Sequence, residues 1–531
     1  RELVTREPTF MIRNLIRDTM SSAVTSGAGY TPFVDTLDGF ASDISNLQNA
    51  GIVAGYDAIR DDLDIKRFVN RRLQGKDKIQ NLNITNPIEW LSYIWDKSGE
   101  VTYRSDAATR QAVYNSIYDQ VLKDTGSTTT AEAEALFQAM EIINYNRRGG
   151  SQIVRTITAG MPFLNARIQG YDVLYRSLTG KYNALAKRGK EESIKDYQKR
   201  VAFFTFLRGG FLSLLTAMYY LSMQDDEDYK KLTEEERDGF WNFFVGSGDD
   251  KRRVAIPIPF EVGILFKVVP ERVLRLYNED DKPIETVESI VRQLRNTVGL
   301  QSLGFQAVKP FYEAMINNRS GFTGNEIVPY YMQALDPELQ YNQRTSIAMR
   351  EVGKLIGMSP MKLEYMLRGY TGTIGGYTLA IADSLTRQVT GEEGIPARLD
   401  QFPAFNAILR NPNTNGYLQD FYQIKRASDR YIQGYNKLVK DNRLDDLLLY
   451  EQSRGTLKAS RDTVLAIDRY LADWRSRRDR ILTSSLPPKE KQEAIKKLQL
   501  ELDKRLAVVP SLRENIDVPA NFVETVSTIL R

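Results

Sequence analysis

Apolar positions recur at helical spacing through most of the chain, and few stretches alternate strictly as a half-buried strand would. Phe10, Ile12, Leu15, Ile16 and Met20 predict a short amphipathic helix, closed by the glycines and proline of TSGAGYTP (25–32). Asn86-Pro87 predicts the start of another, carrying Ile88, Trp90, Leu91, Ile94 and Trp95. Ser105 and Asp106 are candidate caps of a helix that stops at Gly126. Thr130 is the candidate cap of the next, with Glu132 and Glu134 in a first turn where the helix dipole favours anions; Arg147-Arg148-Gly149-Gly150 closes it. KRRVAIPIPF (251–260) should enter extended, because its prolines forbid helix, and Phe260 to Tyr277 should follow as a helix kinked at Pro270. Ser359-Pro360 opens a short helix ending at Gly369, ahead of a Gly-rich loop, YTGTIGG (370–376).

The C-terminal pattern is sharper. Leu457, Val464, Ile467, Leu471, Trp474 and Ile481 fall at heptad-like spacings, as do Ile495, Leu498, Leu502 and Leu506. Leu486-Pro487-Pro488 separates the two sets, which predicts an antiparallel helical hairpin over 456–508. The expected fold is all-α: an elongated, multi-lobed helical assembly ending in that hairpin. The expected regions are 1–100, 101–250, 251–395 and 396–531.

One segment breaks the soluble pattern. Residues 202–223 hold a single charge, Arg208, among residues that include Phe203, Phe206, Leu214, Leu215, Tyr219 and Tyr220. As a helix the segment would be ~33 Å long, close to the ~30 Å hydrocarbon layer of a bilayer. Aromatics at both ends suit an interface. Gly209 and Gly210 allow close helix contact in either lipid or protein. Two readings follow: the central helix of a buried core, or a helix that meets a membrane. A helix stored in a core and later delivered to lipid would satisfy both.

Composition mostly removes options. The 531 residues are 42% hydrophobic and 26% charged, with net charge +4, too small to argue nucleic-acid binding from bulk charge. There is no cysteine and no histidine, which removes disulfides, thiolate sites, His-based triads and HExxH zinc sites. The chain opens Arg1-Glu2-Leu3, so we expect it to be a piece of a longer polypeptide or a processed product. Gly180-Lys181 is no phosphate loop, since Tyr175 stands where a glycine is needed. The Gly-rich 368–377 stretch could cradle a phosphate, but no strand precedes it, and a turn between closely packed helices is the simpler reading. Asp225–Asp228 and Glu234–Glu236 read as a solvated acidic face. The basic clusters at Arg71, Arg72, Arg147, Arg148, Arg252, Arg253, Arg475, Arg477 and Arg478 are candidate contacts for phosphate, including a DNA backbone, or for a protein partner. No catalytic, cofactor-binding or metal-binding residue is expected, and no enzyme activity of this segment.

Several strings resemble a known family. ATRQAVY (108–114), AEALFQAMEIINYNRRGG (133–150), MPFLNARIQGYDVLYR (161–176), IPIPFEVGILFKVVPE (256–271) and SPMKLEYMLRGYTGTIGG (359–376) resemble the large polyvalent-protein-associated helical region of giant phage internal virion proteins. Such proteins travel inside virions, and some leave the capsid to build a conduit through the host envelope. The resemblance implies a capsid-core and genome-delivery role without catalysis here. It also implies self-association, contact with other internal virion proteins and the portal, contact with the host membrane, and a path from virion interior to host cell envelope. Two alternatives share it: the C-terminal packaging segment of a giant virion RNA polymerase, and a conjugation-associated polyvalent protein.

Overall fold

The structure, a computed structural model, describes residues 7–26, 31–50, 87–142, 151–152, 164–181, 192–246, 251–278, 286–293 apart from 288 and 292, 308–320, 326–342, 345–390, 405–412 and 416–515. The described residues are predominantly α-helical, with one small three-stranded sheet. Arg71, Arg72, Arg147 and Arg148 lie outside them.

The N-terminal helix Pro8–Thr25 and the helix Val34–Ala41 pack on a long helix, Pro87–Thr125, and its neighbour Thr128–Glu141. Val113 and Ile117 of the long helix, Ala131, Ala135 and Ala139 of its neighbour and Leu47 of the short helix Ser45–Asn49 form a core. Gly39 lies so close to the Ala108 and Ala112 backbone that a Cβ would not fit. Pro87 opens the long helix as expected, and Gly126, at φ 67°, ends it. Ser105 and Asp106 are not caps: the helix runs straight through them and through the expected boundary at 100/101. Their side chains are used otherwise: Ser105 donates to the Met11 carbonyl of the N-terminal helix (3.0 Å), and Asp106 accepts from Arg110 one turn on in the same helix (2.9 Å). The next helix is capped by Ser127, which accepts from Thr130 N–H, so Thr130 lies inside the helix and Glu132 and Glu134 fall beyond its first turn.

The middle of the chain holds the helices Leu164–Leu178, Ile194–Met223, Glu227–Lys230 and Glu234–Gly239, then a hairpin. Strand β1, Phe240–Val245, pairs antiparallel with β2, Arg252–Pro257, in a register that sets Trp241 opposite Ile256. Short β3, Leu409–Arg410, extends β2 on its far edge. The hairpin crosses the expected boundary at 250/251. The extended entry at β2 is as expected; β1 is not, since FWNFFV lacks the alternation that marks a strand. Its aromatic and β-branched content nonetheless favours one.

After β2 comes helix Phe260–Gly263, a π-helical turn Ile264–Val268, and helix Val269–Tyr277. Pro270 explains the π turn. Proline offers no N–H and its ring crowds the carbonyl four residues back, and the widened turn relieves this without a sharp kink. Further on, Pro360 starts a helix as expected, but that helix continues to Thr390. Gly369 is not its end: the glycine serves a close approach to Pro310, and the helix breaks instead at Gly372 (φ 60°). The Gly-rich stretch is thus a broken helix and not a loop.

The C-terminal helices Tyr417–Lys440, Leu444–Ala459, Arg461–Thr483, Pro488–Leu506 and Val509–Asn515 share a separate core of Phe421, Ile424, Tyr431, Leu471, Leu502 and Leu506. The predicted hairpin is present. Pro488 opens its second arm, and Trp474 Nε1 donates to the Leu498 carbonyl across it (3.0 Å). Its first arm begins at Arg461, because Leu457 belongs to the preceding helix.

Candidate functional site: an apolar helix seated on a buried ion network

The helix Ile194–Met223 starts at Ser193, whose hydroxyl accepts from Asp196 N–H (3.2 Å). Among the described residues it is the one helix long and apolar enough to cross a membrane, and only 17% of its most apolar 18-residue window is buried. It is therefore not the buried core helix of the first reading.

Its two faces differ in kind. Phe203, Leu207, Phe211, Leu214, Met218 and Leu221 run down one side at helical spacing and are exposed, Phe211 by 62%. Phe206 and Leu215 flank this stripe and are exposed too, and Gly210 opens onto free space. The opposite face is buried and carries Thr205, Gly209, Thr216, Tyr219 and Tyr220. Gly209 packs directly on the ring of Phe266, leaving no room for a Cβ. Trp241 Nε1 donates to Thr216 Oγ1 (3.2 Å), and the Asn242 N–H donates to the Tyr219 hydroxyl (2.9 Å), fixing the helix to β1. Arg208, the lone charge, turns away from the stripe and donates to the Ser26 carbonyl (2.6 Å). Apolar side chains thus face outward, and small or hydroxyl-bearing ones face the protein.

Beneath the helix lies a network of buried ions. Tyr219 meets Tyr229 edge-on, and the Tyr229 hydroxyl donates to Glu271 Oε1 (2.7 Å). Burial, then the charge of Glu271, pushes the Tyr229 phenol well above its usual range. Lys267 Nζ lies 3.0 Å from Glu271 Oε2 and also donates to the Arg237 and Asp238 carbonyls. Arg272 forks onto Asp238 Oδ1 through Nε (2.9 Å) and Nη2 (2.6 Å) and pairs with Glu234. Arg275 reaches Glu234 as well, and Ser289 donates to Asp238 Oδ2. Burial works against the Glu234 charge, but the guanidiniums of Arg237, Arg275 and Arg272 hold its carboxyl well below the usual carboxylate range. Glu234 and Glu236 are accordingly no solvated face, whereas Glu235 between them is exposed. Glu236 closes a capping box with Thr233 and takes Arg253. Asp226 caps the helix Glu227–Lys230, and Asp228 pairs with Lys251.

A second charged cluster holds the N-terminal helix against this lobe. Arg13 donates to the Asn406 and Ala407 carbonyls (2.7 and 3.1 Å). Burial lowers Arg13 and Arg17 to about 10 and, with the charge of Asp106 beside it, raises Asp18 to about 8. Glu261, packed on the Gly170 backbone, is raised to about 7, chiefly by burial and against the pull of Arg167 and Arg17.

The candidate basic contacts do not come together. Arg252 is exposed, but Arg253 is fully buried on Glu236 (2.6 Å) and is removed from the candidates. Arg475, Arg477 and Arg478 line the first arm of the C-terminal hairpin. There Arg475 meets the Tyr422 hydroxyl, Arg477 pairs with Glu501 (2.9 Å), and Arg478 pairs with Asp479 (3.0 Å) over the Trp474 ring. Sequence reasoning found the apolar helix but missed the ion network. Lys267, Glu271, Arg272 and Arg275 recur at i, i+4, i+5 and i+8 on one helix face, which is the signal that could have pointed to it.

Fold and site together define a class: a predominantly helical protein with an ion-paired central lobe and a span-length apolar helix on its surface. Residues 226–404 match the family model of large polyvalent protein associated domain 38. The match contains the ion network, the β-hairpin and two of the resembling strings, 256–271 and 359–376, and it begins just after the apolar helix. No curated protein and no solved structure matches the chain.

Proposed function

We propose that this chain is a non-catalytic segment of a phage internal virion protein. It takes part in capsid-core assembly, with copies of itself, other internal virion proteins and the portal as partners. During infection it helps deliver the genome through the host envelope, where the apolar face of Ile194–Met223 engages lipid. One observation carries the lipid step. A single helix of membrane length presents an unbroken apolar stripe outward while its hydrogen-bonding groups point into the protein. The polyvalent-protein domain beside it supports the wider setting. The acidic turn from Asp225 onward would remain in water. DNA contact, if made, falls to exposed arginines such as Arg252.

Flotation of the purified chain with liposomes tests the lipid step. Wild type should float, and Leu214→Asp with Leu215→Asp should not, because a carboxylate on the apolar face would have to leave water without a partner to contact the acyl chains. Wild type that stays at the bottom of the gradient at every lipid composition refutes lipid engagement. A mass-spectrometric inventory of purified virions tests the setting, which fails if the parent polypeptide is absent.

A further inference from the structure

We infer that the helix Ile194–Met223 engages lipid lying in the plane of the membrane surface, on one leaflet, and does not cross the bilayer. This rests on the lipid-engagement reading above and adds the geometry. Its occupant is a phospholipid surface, and the stripe itself says so. Phe203, Leu207, Phe211, Leu214, Met218 and Leu221 offer no side-chain N–H or O–H. With the flanking Phe206 and Leu215 they form one exposed apolar run along the helix, each residue 45–62% exposed, the kind of patch that marks an interaction surface. A protein interface would carry about one hydrogen bond per 100–200 Å². Lipid tails ask for none.

The buried face sets the orientation. A spanning helix would have to show lipid its whole circumference, breaking the Trp241–Thr216, Asn242–Tyr219 and Arg208–Ser26 bonds and stripping Phe266 from Gly209. It would also lift Tyr219 off Tyr229, which is hydrogen-bonded into the buried ions. Lying flat, the helix keeps all of these and buries only the stripe, to the ~5–10 Å depth of the headgroup–acyl boundary. Exposed Lys195 and Lys199, at the start of the helix, would then reach anionic headgroups.

The chain has no cysteine, so single-cysteine labelling is clean. A bimane fluorophore is placed in turn at Phe203→Cys, Phe211→Cys, Met218→Cys and Leu221→Cys, all on the exposed stripe. The full chain is bound to vesicles of phosphatidylethanolamine and phosphatidylglycerol carrying quenchers at shallow or deep acyl positions. The expected result is a flat profile: all four sites quenched by the shallow lipid to within about twofold of one another, and several-fold less by the deep one. A profile deepest at Phe211 and shallow at Phe203 and Leu221 means the helix spans, which overturns this inference and leaves lipid engagement standing. No quenching at any site overturns both. Bimane emission that shifts to the blue with protein concentration alone, without response to vesicles, assigns the stripe to a second copy and also overturns it.

Discussion

Gly209 and Gly210 are neighbours in sequence, yet the structure gives them opposite surroundings, and replacing each by alanine should move stability in opposite directions. Both substitutions gain helix propensity, up to ~1 kcal/mol, because glycine loses more backbone freedom on folding than alanine. At Gly210 nothing stands within 4 Å of the new methyl, so the gain is kept and the helix tightens by ~0.5–1 kcal/mol. At Gly209 the methyl would overlap the ring of Phe266, which is itself buried among Val24, Leu174 and Val262. The ring has no free space to enter, and overpacking of this kind costs ~1–3 kcal/mol. The net effect of Gly209→Ala is therefore destabilising by up to ~2 kcal/mol after the propensity gain is set against it. The chain holds several separate cores, so a global melt would blur the signal. Hydrogen exchange of amides within 205–220 reads the local opening free energy instead. Slower exchange in Gly210→Ala and faster exchange in Gly209→Ala is the expected pair. Faster exchange in Gly210→Ala, or the same shift in both, would refute the assigned faces of the helix.

Two further predictions address the charges beneath. Asp238→Ala leaves Arg272 buried without its fork partner and should destabilise the lobe by ~3–5 kcal/mol, read by the same exchange experiment on 260–277; a loss under ~1 kcal/mol would show the pair to be solvated. Glu261 is raised from 4.5 to about 7, so the folded chain holds a proton there that the unfolded chain releases; stability is fully present below about pH 4.5, falls as pH rises, and has lost ~3 kcal/mol above about pH 7. Glu261→Gln should flatten that part of the pH profile of the local opening free energy, read by hydrogen exchange on 260–277 and corrected for intrinsic exchange, Asp18 contributing a slope of the same sign, and an unchanged slope would sink the argument.

Much of the secondary structure was legible because proline and heptad spacing act locally. Pro87, Pro360 and Pro488 each open a helix, and Leu471, Leu502 and Leu506 meet in the hairpin core. The misplacements have different causes. Ser105, Asp106 and Thr130 are good capping residues, but capping is worth only ~1 kcal/mol, and Ser127, three residues earlier, takes the cap from Thr130. The long helix continues through Ser105 because its hydroxyl is taken by Met11, which no local pattern reveals. Gly369 was read as a stop, when its role is to admit Pro310. The acidic run at Glu234 looked solvated because its three arginine partners lie at positions 237, 272 and 275, two of them distant in sequence. The apolar helix was found by length, but overall apolarity does not say which face turns inward. The line Thr205, Gly209, Thr216, Tyr219 carries that information as small and hydroxyl-bearing side chains at helical spacing, and it was read only as part of a greasy run.

The buried charges and the exposed apolar stripe belong to one arrangement. Ion pairs taken out of water contribute little net stability, so a lobe built on Lys267, Glu271, Arg272 and Asp238 gains specific geometry more than free energy. The stripe, meanwhile, leaves Phe203, Leu207, Phe211, Leu214, Met218 and Leu221 each more than half exposed, apolar surface whose burial the chain alone does not realise. Here the polar groups hold the helix to its lobe through directional bonds, and the apolar groups are left to whatever covers them. Lipid tails match such a surface because they require area and no hydrogen bonds. The same bonds that anchor the helix also limit how far it can leave the lobe. Contact with a bilayer through the stripe alone then keeps the ion network closed, since Tyr219 stays on Tyr229 and Thr216 stays on Trp241.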